Sequence, residues 1–163
     1  MKYSDRILKE YYRKSYFAVD GLWFLKTEEA HTFEEALKLD AEVWSILAKI
    51  QARKTKELLK KKGSTVKDLL AALKLKWTAE EYEYDVLKAE EACGEVLLRS
   101  CPWLEIMRKA GREQLTPGIG ECVCTAEYSA WAKEFSPQME VAIDEMLCRE
   151  KKPCRLRFNI SRG

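Results

Sequence analysis

The chain has 163 residues and a formal net charge of +2, from 29 Lys and Arg against 27 Asp and Glu. This length fits one domain with a substantial core, and 47% hydrophobic with 34% charged residues excludes wholesale disorder. The charge is too small for a dedicated nucleic-acid binder, and no apolar run approaches the roughly 18 residues of a membrane helix. The first residues lack the apolar core of a signal peptide, so we expect a cytoplasmic single domain that binds neither nucleic acid nor membrane.

The N-terminal part of this domain, residues 1–76, is predicted to be mainly helical. Apolar residues recur at intervals of three and four over residues 4–19, and Asp20-Gly21 is predicted to end that helix. Thr32, with a glutamate three residues later, forms a capping box that predicts the start of a second long helix. A third helix is predicted from Thr65 to Leu75.

The C-terminal part, residues 77–163, contains strand-like segments. Acidic and apolar residues alternate from Glu81 to Val86, and alternation returns further along the chain. This order of elements predicts an α+β fold with the N-terminal helices packed on a small antiparallel sheet. The further predicted strands are 96–98, 139–147 and 154–160, and the predicted helices between them are 103–109 and 121–135.

All six cysteines lie beyond residue 92, at Cys93, Cys101, Cys122, Cys124, Cys148 and Cys154. Thiols crowded into one part of a chain from a reducing compartment indicate a metal site rather than disulfides. Cys148 and Cys154 flank a predicted hairpin turn, so both sulfurs can reach one point. Zinc takes four tetrahedral ligands, and the candidates for the other positions are Cys122, Glu145, Cys101 and Cys124. A bulge is needed if Glu145 and Cys148 both bind, because strict alternation puts them on opposite faces.

Residues 80–160 resemble the vinyl-4-reductase (4VR) domain, a small-molecule-binding module. The resemblance rests on Cys122, on the Glu145-x2-Cys148 pair, on Cys154, and on the closing strand that follows it. It implies a zinc site of Cys122, Glu145, Cys148 and Cys154, with Cys101 as the reserve ligand. A shell closed by four protein ligands is typical of structural zinc, which would staple the C-terminal hairpin to the helix bearing Cys122.

A second similarity covers the segment from Asp20 to Phe24, the tripeptide Thr27-Glu28-Glu29 after it, and the later tripeptide Cys101-Pro102-Trp103. These segments are similar to the group named after L-2-amino-thiazoline-4-carboxylic acid hydrolase, which suggests hydrolase-like chemistry. His31 is the single histidine, and the chain has no Gly-x-Ser-x-Gly motif. The sequence therefore identifies no catalytic residue.

The aromatic content, with 5 Trp, 7 Tyr and 5 Phe, indicates a binding cavity, because aromatic walls are common in small-molecule sites. We expect Trp23, Trp103 and Trp131 in its wall. The resulting hypothesis is a zinc-containing, vinyl-4-reductase-like protein, sensor-like or carrier-like, that binds a small apolar or aromatic molecule. Its N-terminal helices would form a homodimer contact. The alternatives are a hydrolase or reductase acting on a small cyclic substrate, and an interaction or assembly module.

Overall fold

Three long helices precede the sheet in the computed structural model, which describes residues 2–60 and 63–161. Each begins at a hydroxyl side chain that accepts a hydrogen bond from the backbone N–H three residues later, which satisfies an otherwise unpaired donor. The capping prediction at Thr32 is confirmed by the 3.2 Å bond from the Glu35 amide. The helices are α1 (Asp5–Ala30), α2 (Phe33–Leu58) and α3 (Val66–Glu80).

The first helix continues through Asp20 and Gly21, so the predicted helix end at these residues is wrong. A glycine inside a helix costs about 1 kcal/mol relative to alanine, which tertiary packing can outweigh. Here the Trp44 Nε1 of α2 donates a 3.1 Å hydrogen bond to Asp20 Oδ1, and Phe17 is buried. Contacts between α1 and α2 therefore hold the helical conformation across the expected break.

Four strands form one antiparallel sheet in the order β1-β2-β4-β3. The first strand starts later than predicted, because α3 runs to Glu80 and Glu81 ends it in the left-handed conformation, with φ at 66°. The register of β3 against β4 shifts between Ile143 and Glu145. The strands are β1 (Tyr84–Ala89), β2 (Cys93–Leu98), β3 (Met139–Glu145) and β4 (Cys154–Ile160).

Short helical segments connect the two halves of the sheet. The predicted helix at 121–135 is present, although its first turn is π-helical rather than α-helical. In chain order these segments are α4 (Pro102–Lys109), a 3-10 turn (Glu113–Leu115), α5 (Thr116–Ile119), the π-helical turn (Gly120–Cys124) and α6 (Thr125–Phe135). A further short helix, α7 (Leu147–Glu150), joins β3 to β4.

The helices cover one face of the sheet. Both α3 and α6 contact the strands, α2 packs on α6, and α1 packs on α2. The core between these layers contains fully buried Trp77, Trp131 and Phe158. The other face carries ion pairs such as Arg157–Asp144, as expected for an antiparallel sheet with one solvated side. The mixed α+β prediction is confirmed.

Among the residues that the structure describes, no helix is both long and apolar enough to cross a membrane.

Candidate ligand-binding site

Two adjoining cavities lie beside α4. The larger, of about 190 Å³, is called here the acidic cavity because Asp20, Asp40 and Glu127 are among its lining residues. The smaller, of about 90 Å³, is called the sulfur cavity and is lined by Cys101, Cys124, Cys148, Cys154, Met107 and Met146 together with apolar residues. The residues that line both cavities are Tyr82, Cys101, Trp103, Met107, Ile119 and Cys124.

Trp103 forms the aromatic wall between the helices and both cavities. It lies in the first turn of α4, whose start is fixed by Pro102, a residue with a backbone angle already suited to a helix N-terminus. Its ring centroid lies 4.2 Å from that of Phe17 on α1 and 5.2 Å, at 90°, from that of Trp44 on α2. These three rings come from three helices, so the wall is rigid and its position depends on the tertiary fold.

Two carboxyl groups face the acidic cavity from adjacent helices. Burial raises the pKa of Asp20 to about 6, although the Trp44 hydrogen bond works in the opposite direction. Burial also raises the pKa of Asp40 to about 7, and the nearby Asp20 charge adds to the effect. Carboxyl groups that titrate near neutral pH inside a cavity are typical of binding and catalytic sites.

A buried ion group lies behind this cavity and connects α3 to α6. Lys76 Nζ lies 2.8 Å from Glu80 Oε2 and 3.0 Å from Glu127 Oε1, and all three side chains are buried. The Glu127 contact is an ion pair without hydrogen-bond geometry. Burial opposes the charge on Lys76, but the carboxylates of Glu127 and Glu80 raise its pKa well above the usual value, so it stays protonated.

The charges around the acidic cavity do not cancel. One ammonium group, that of Lys76, faces two carboxylates. Arg112, which also lines the cavity, is already paired with Glu28 at 2.6 Å. With Asp20 and Asp40 added, carboxyl groups outnumber positive groups around the cavity, which favours a hydrogen-bond donor or a positive group on a bound molecule.

The sulfur cavity is apolar despite its four thiols. Burial raises the pKa of Cys101, Cys124 and Cys148, and it raises the pKa of Cys154 to about 12. These groups are therefore protonated at neutral pH, and a protonated thiol is a poor nucleophile. All six cysteines are free, so the sulfurs act in this conformation as small apolar wall groups.

The zinc ligands implied by the sequence resemblance are only partly brought together. Cys148 and Cys154 line the sulfur cavity, and the reserve ligand Cys101 lines it with them. Cys122 is exposed on the π-helical turn and does not line that cavity. The Glu145 carboxylate lies 3.5 Å from Arg155 Nε and 3.4 Å from Lys152 Nζ.

This arrangement does not fit the implied zinc shell. Among residues 2–60 and 63–161, no group of three or more His, Cys, Asp or Glu side chains is arranged to hold a metal ion. The β3–β4 register shift before Glu145 supplies the bulge that the sequence required, but the carboxylate contacts basic side chains. The structure consequently gives no support to a zinc ion bound by Cys122, Glu145, Cys148 and Cys154.

The three tryptophans expected in a ligand wall occupy three different environments. Trp103 lines both cavities. Trp23 is 73% exposed on α1, and Trp131 is fully buried in the core without lining either cavity. The other wall tryptophan is Trp44, which the sequence analysis did not select as a wall residue.

Sequence reasoning missed the charged residues of the site, although a signal for two of them exists. Asp20 lies three residues after Phe17 on the inward face of α1, and Asp40 lies four residues before Trp44 on the inward face of α2. An acidic residue at helical spacing within an apolar face is an exception to amphipathic patterning, and such exceptions indicate functional positions. No comparable local signal brings Lys76 to Glu127.

Comparison with known proteins gives one positive finding. The model of a family of unknown function (DUF6125) matches residues 5–155. No curated protein and no solved structure matches the chain.

Proposed function

The chain belongs to DUF6125, a family of unknown function, and we propose that it binds a small apolar or aromatic molecule in the acidic cavity, as a sensor-like or carrier-like protein. The observation that carries this proposal is an aromatic-walled cavity of about 190 Å³ whose lining includes the carboxyl groups of Asp20 and Asp40. Apolar protein cavities of about 150 Å³ can hold benzene, so this volume suits a single ring with a short substituent.

In this proposal the ligand is recognised by two kinds of residue in the cavity wall, aromatic rings and carboxyl groups. Phe17, Trp44 and Trp103 provide ring contacts for the body of the molecule. Asp20 and Asp40 provide hydrogen-bond acceptors for a hydroxyl or amino substituent. An apolar pocket with a few convergent polar groups is the common design of small-molecule sites.

Gly21 offers a direct test of this cavity. It lines the acidic cavity, and a Cβ built on it meets no atom within 4 Å. Gly21→Leu should therefore fill the cavity while improving helix propensity. Thermal unfolding would be measured with 10 mM phenol, benzyl alcohol or benzylamine. We expect at least one to raise the wild-type midpoint by about 2–4 °C, and Gly21→Leu to lose the shift.

Trp23→Leu is the matched control, since Trp23 is exposed on the same helix and lines neither cavity. It should keep the wild-type response to the same fragment. An equal response in Gly21→Leu and the wild type would contradict binding in the acidic cavity. Absence of any shift across a wider set of single-ring fragments would contradict the function itself.

A hydrolase or reductase acting on a small cyclic substrate is the second candidate. It is favoured by the neighbouring carboxyls of Asp20 and Asp40, whose raised pKa values suit acid–base work near neutral pH. Product analysis after incubation with a stabilising fragment separates the candidates. Turnover that Asp20→Asn or Asp40→Asn abolishes supports the enzyme, and stabilisation without turnover supports the binder.

Three expectations from the sequence stay predictions: a vinyl-4-reductase-like domain, hydrolase-like chemistry and a bound zinc ion. A cytoplasmic location is likewise proposed, and its support is that all six cysteines are free, as is usual in a reducing compartment.

A further inference from the structure

The outer face of α2 carries a stripe of apolar side chains that nothing in the described chain covers. Leu39, Val43, Ile46 and Ile50 are 48%, 56%, 58% and 57% exposed. Their spacing of four, three and four residues puts them on one side of the helix, and it is the spacing of a coiled-coil seam. The opposite side of α2, with Trp44, Ala48 and Ala52, is the buried one.

Large apolar side chains aligned in this way are unusual on the surface of a monomer. The stripe extends roughly 16 Å along the helix, from the rise of 1.5 Å per residue. Helix α1 packs on α2 and exposes further apolar side chains, including Tyr12 and Val19. The stripe on α2 thus offers a surface of the kind that pairs with a protein partner of matching shape.

The charges along α2 favour a second copy as the partner. Apart from Asp40, which faces the cavity, the half before Ser45 carries Glu34, Glu35 and Glu42 against Lys38. The half after it carries Lys49, Arg53, Lys54 and Lys56 against Glu57, with Arg53 paired to Glu134 and Lys54 to Glu57. A second α2 placed antiparallel would bring the acidic half of each helix onto the basic half of the other. A parallel copy would bring like charges together, which disfavours that orientation.

The register of such a pair follows from the stripe. A two-fold axis through its midpoint sets Leu39 against Ile50 of the other copy and Val43 against Ile46. The same axis brings Glu42 next to Lys49 of the other copy. Both of these side chains are exposed, and neither lies within 4 Å of an oppositely charged group of the described chain, although the charge of Lys49 acts at longer range on Glu134. Apolar contacts and flanking charges therefore agree on one arrangement.

We propose that a second copy of this chain docks on the outer face of α2, giving an antiparallel two-fold dimer with Leu39, Val43, Ile46 and Ile50 in the seam and Glu42–Lys49 pairs at its edge. Such an interface is isologous, so it closes on itself and forms no filament. The inference is independent of the acidic cavity and of what that cavity binds.

The first test is the oligomeric state of the full chain, measured by sedimentation velocity over a 100-fold range of protein concentration. We expect a dimer that dissociates on dilution. Ile46→Glu should weaken dimerisation at least about tenfold with an unchanged circular dichroism spectrum, because it places a charge in the seam. Leu87→Glu is the matched control: Leu87 is 52% exposed on β1, away from α2, and its variant should dimerise like the wild type.

The second test is charge reversal. If these side chains only filled space, reversing both charges would not restore a dimer that each single reversal weakens. Glu42→Lys and Lys49→Glu should each weaken the dimer about tenfold at low salt, whereas the double variant should return to within about threefold of the wild type. A monomer at every concentration would overturn the proposal. So would a double variant weaker than either single one, or a monomer that binds phosphatidylcholine vesicles through this face.

Discussion

Asp40 lies on the inward side of α2, one helical turn before Trp44, where an apolar residue would be expected from the pattern of the helix. Its carboxyl faces a cavity with an aromatic wall, and its charged form is poorly solvated there. A group in this position lowers stability at neutral pH unless something compensates its charge. The binding role proposed for this carboxyl accounts for its presence there.

We predict that Asp40→Asn stabilises the protein above neutral pH. The folded pKa of about 7 lies above the unfolded one, so the folded state holds more protons from about pH 4 to 7 and stability falls as pH rises through that window. Removing the carboxyl should raise the unfolding free energy at pH 8 by roughly 1–2 kcal/mol, allowing for partial exposure, with little change at pH 4.

Chemical denaturation at pH 4, 6 and 8 measures this effect. Glu140→Gln is the control, because Glu140 is an exposed carboxylate on β3 far from the cavity. Equal destabilisation of the Asp40 variant at all three pH values would show that the carboxyl acts through packing and not through its charge.

Cys122 is the residue at which the sequence resemblance and the structure diverge most clearly. It is the exposed member of the pair on the π-helical turn, while Cys124 points to the cavities. We predict that Cys122→Ser keeps the zinc content of the wild type, whereas Cys148→Ser lowers any zinc that is present, since Cys148 and Cys154 share the sulfur cavity.

Metal analysis of anaerobically purified protein checks this prediction. A wild type with about one zinc per chain and a Cys122→Ser variant with none would support the ligand set from the resemblance. In that case the π-helical turn would have to rearrange around the metal.

At the scale of the elements, the π-helical turn (Gly120–Cys124) determines the shape of the sulfur cavity. A π turn shifts the side chains that follow it around the helix axis, and such turns are frequent at functional sites. Here it separates exposed Cys122 from Cys124, which lines both cavities. Its first residue, Gly120, is buried against the short helix α7.

Gly120 allows this contact because it has no side chain. A Cβ at this position would lie 2.5 Å from Cys148 Sγ. We predict that Gly120→Ala lowers the unfolding free energy by about 1–3 kcal/mol, because the sulfur and α7 must move. Gly118→Ala is the matched control, since a Cβ there meets nothing within 4 Å.

Urea denaturation of both variants measures the difference. Adding Cys148→Ala to Gly120→Ala should recover most of the lost stability, because the clashing sulfur is then absent. A Gly120 variant as stable as the Gly118 variant would contradict the close packing of the turn on α7.

At the scale of the whole molecule, the sheet is a support and the helices form the site. The acidic cavity is enclosed by α1, α2, α4 and the start of α6, and no strand residue is in its lining. The sulfur cavity extends it to the ends of β2, β3 and β4. The outer face of α2 is free for the second copy proposed above, so the proposed ligand and dimer contacts use opposite sides of this helix.

Much of this fold follows from local sequence. The cap at Thr32, the helices, the strands and the α+β class are readable, because helical and strand periodicity report which side of an element is buried. The continuity of α1 cannot be read from local sequence, because Asp20-Gly21 favours a break. Only the Trp44 hydrogen bond and packing on α2 overcome that preference.

By itself the sequence determined most of the elements and placed Cys148 and Cys154 in the segment where β3 connects to β4. Tertiary structure alone decided which side chains meet: Asp20 with Trp44, Lys76 with Glu127, and Cys101 with Cys148 rather than Cys122. The physical reason is the distance along the sequence over which each kind of interaction acts. Periodicity and caps act over a few residues, whereas these contacts join distant segments, and they form only when the burial of several helices and the sheet has fixed the packing of the layers.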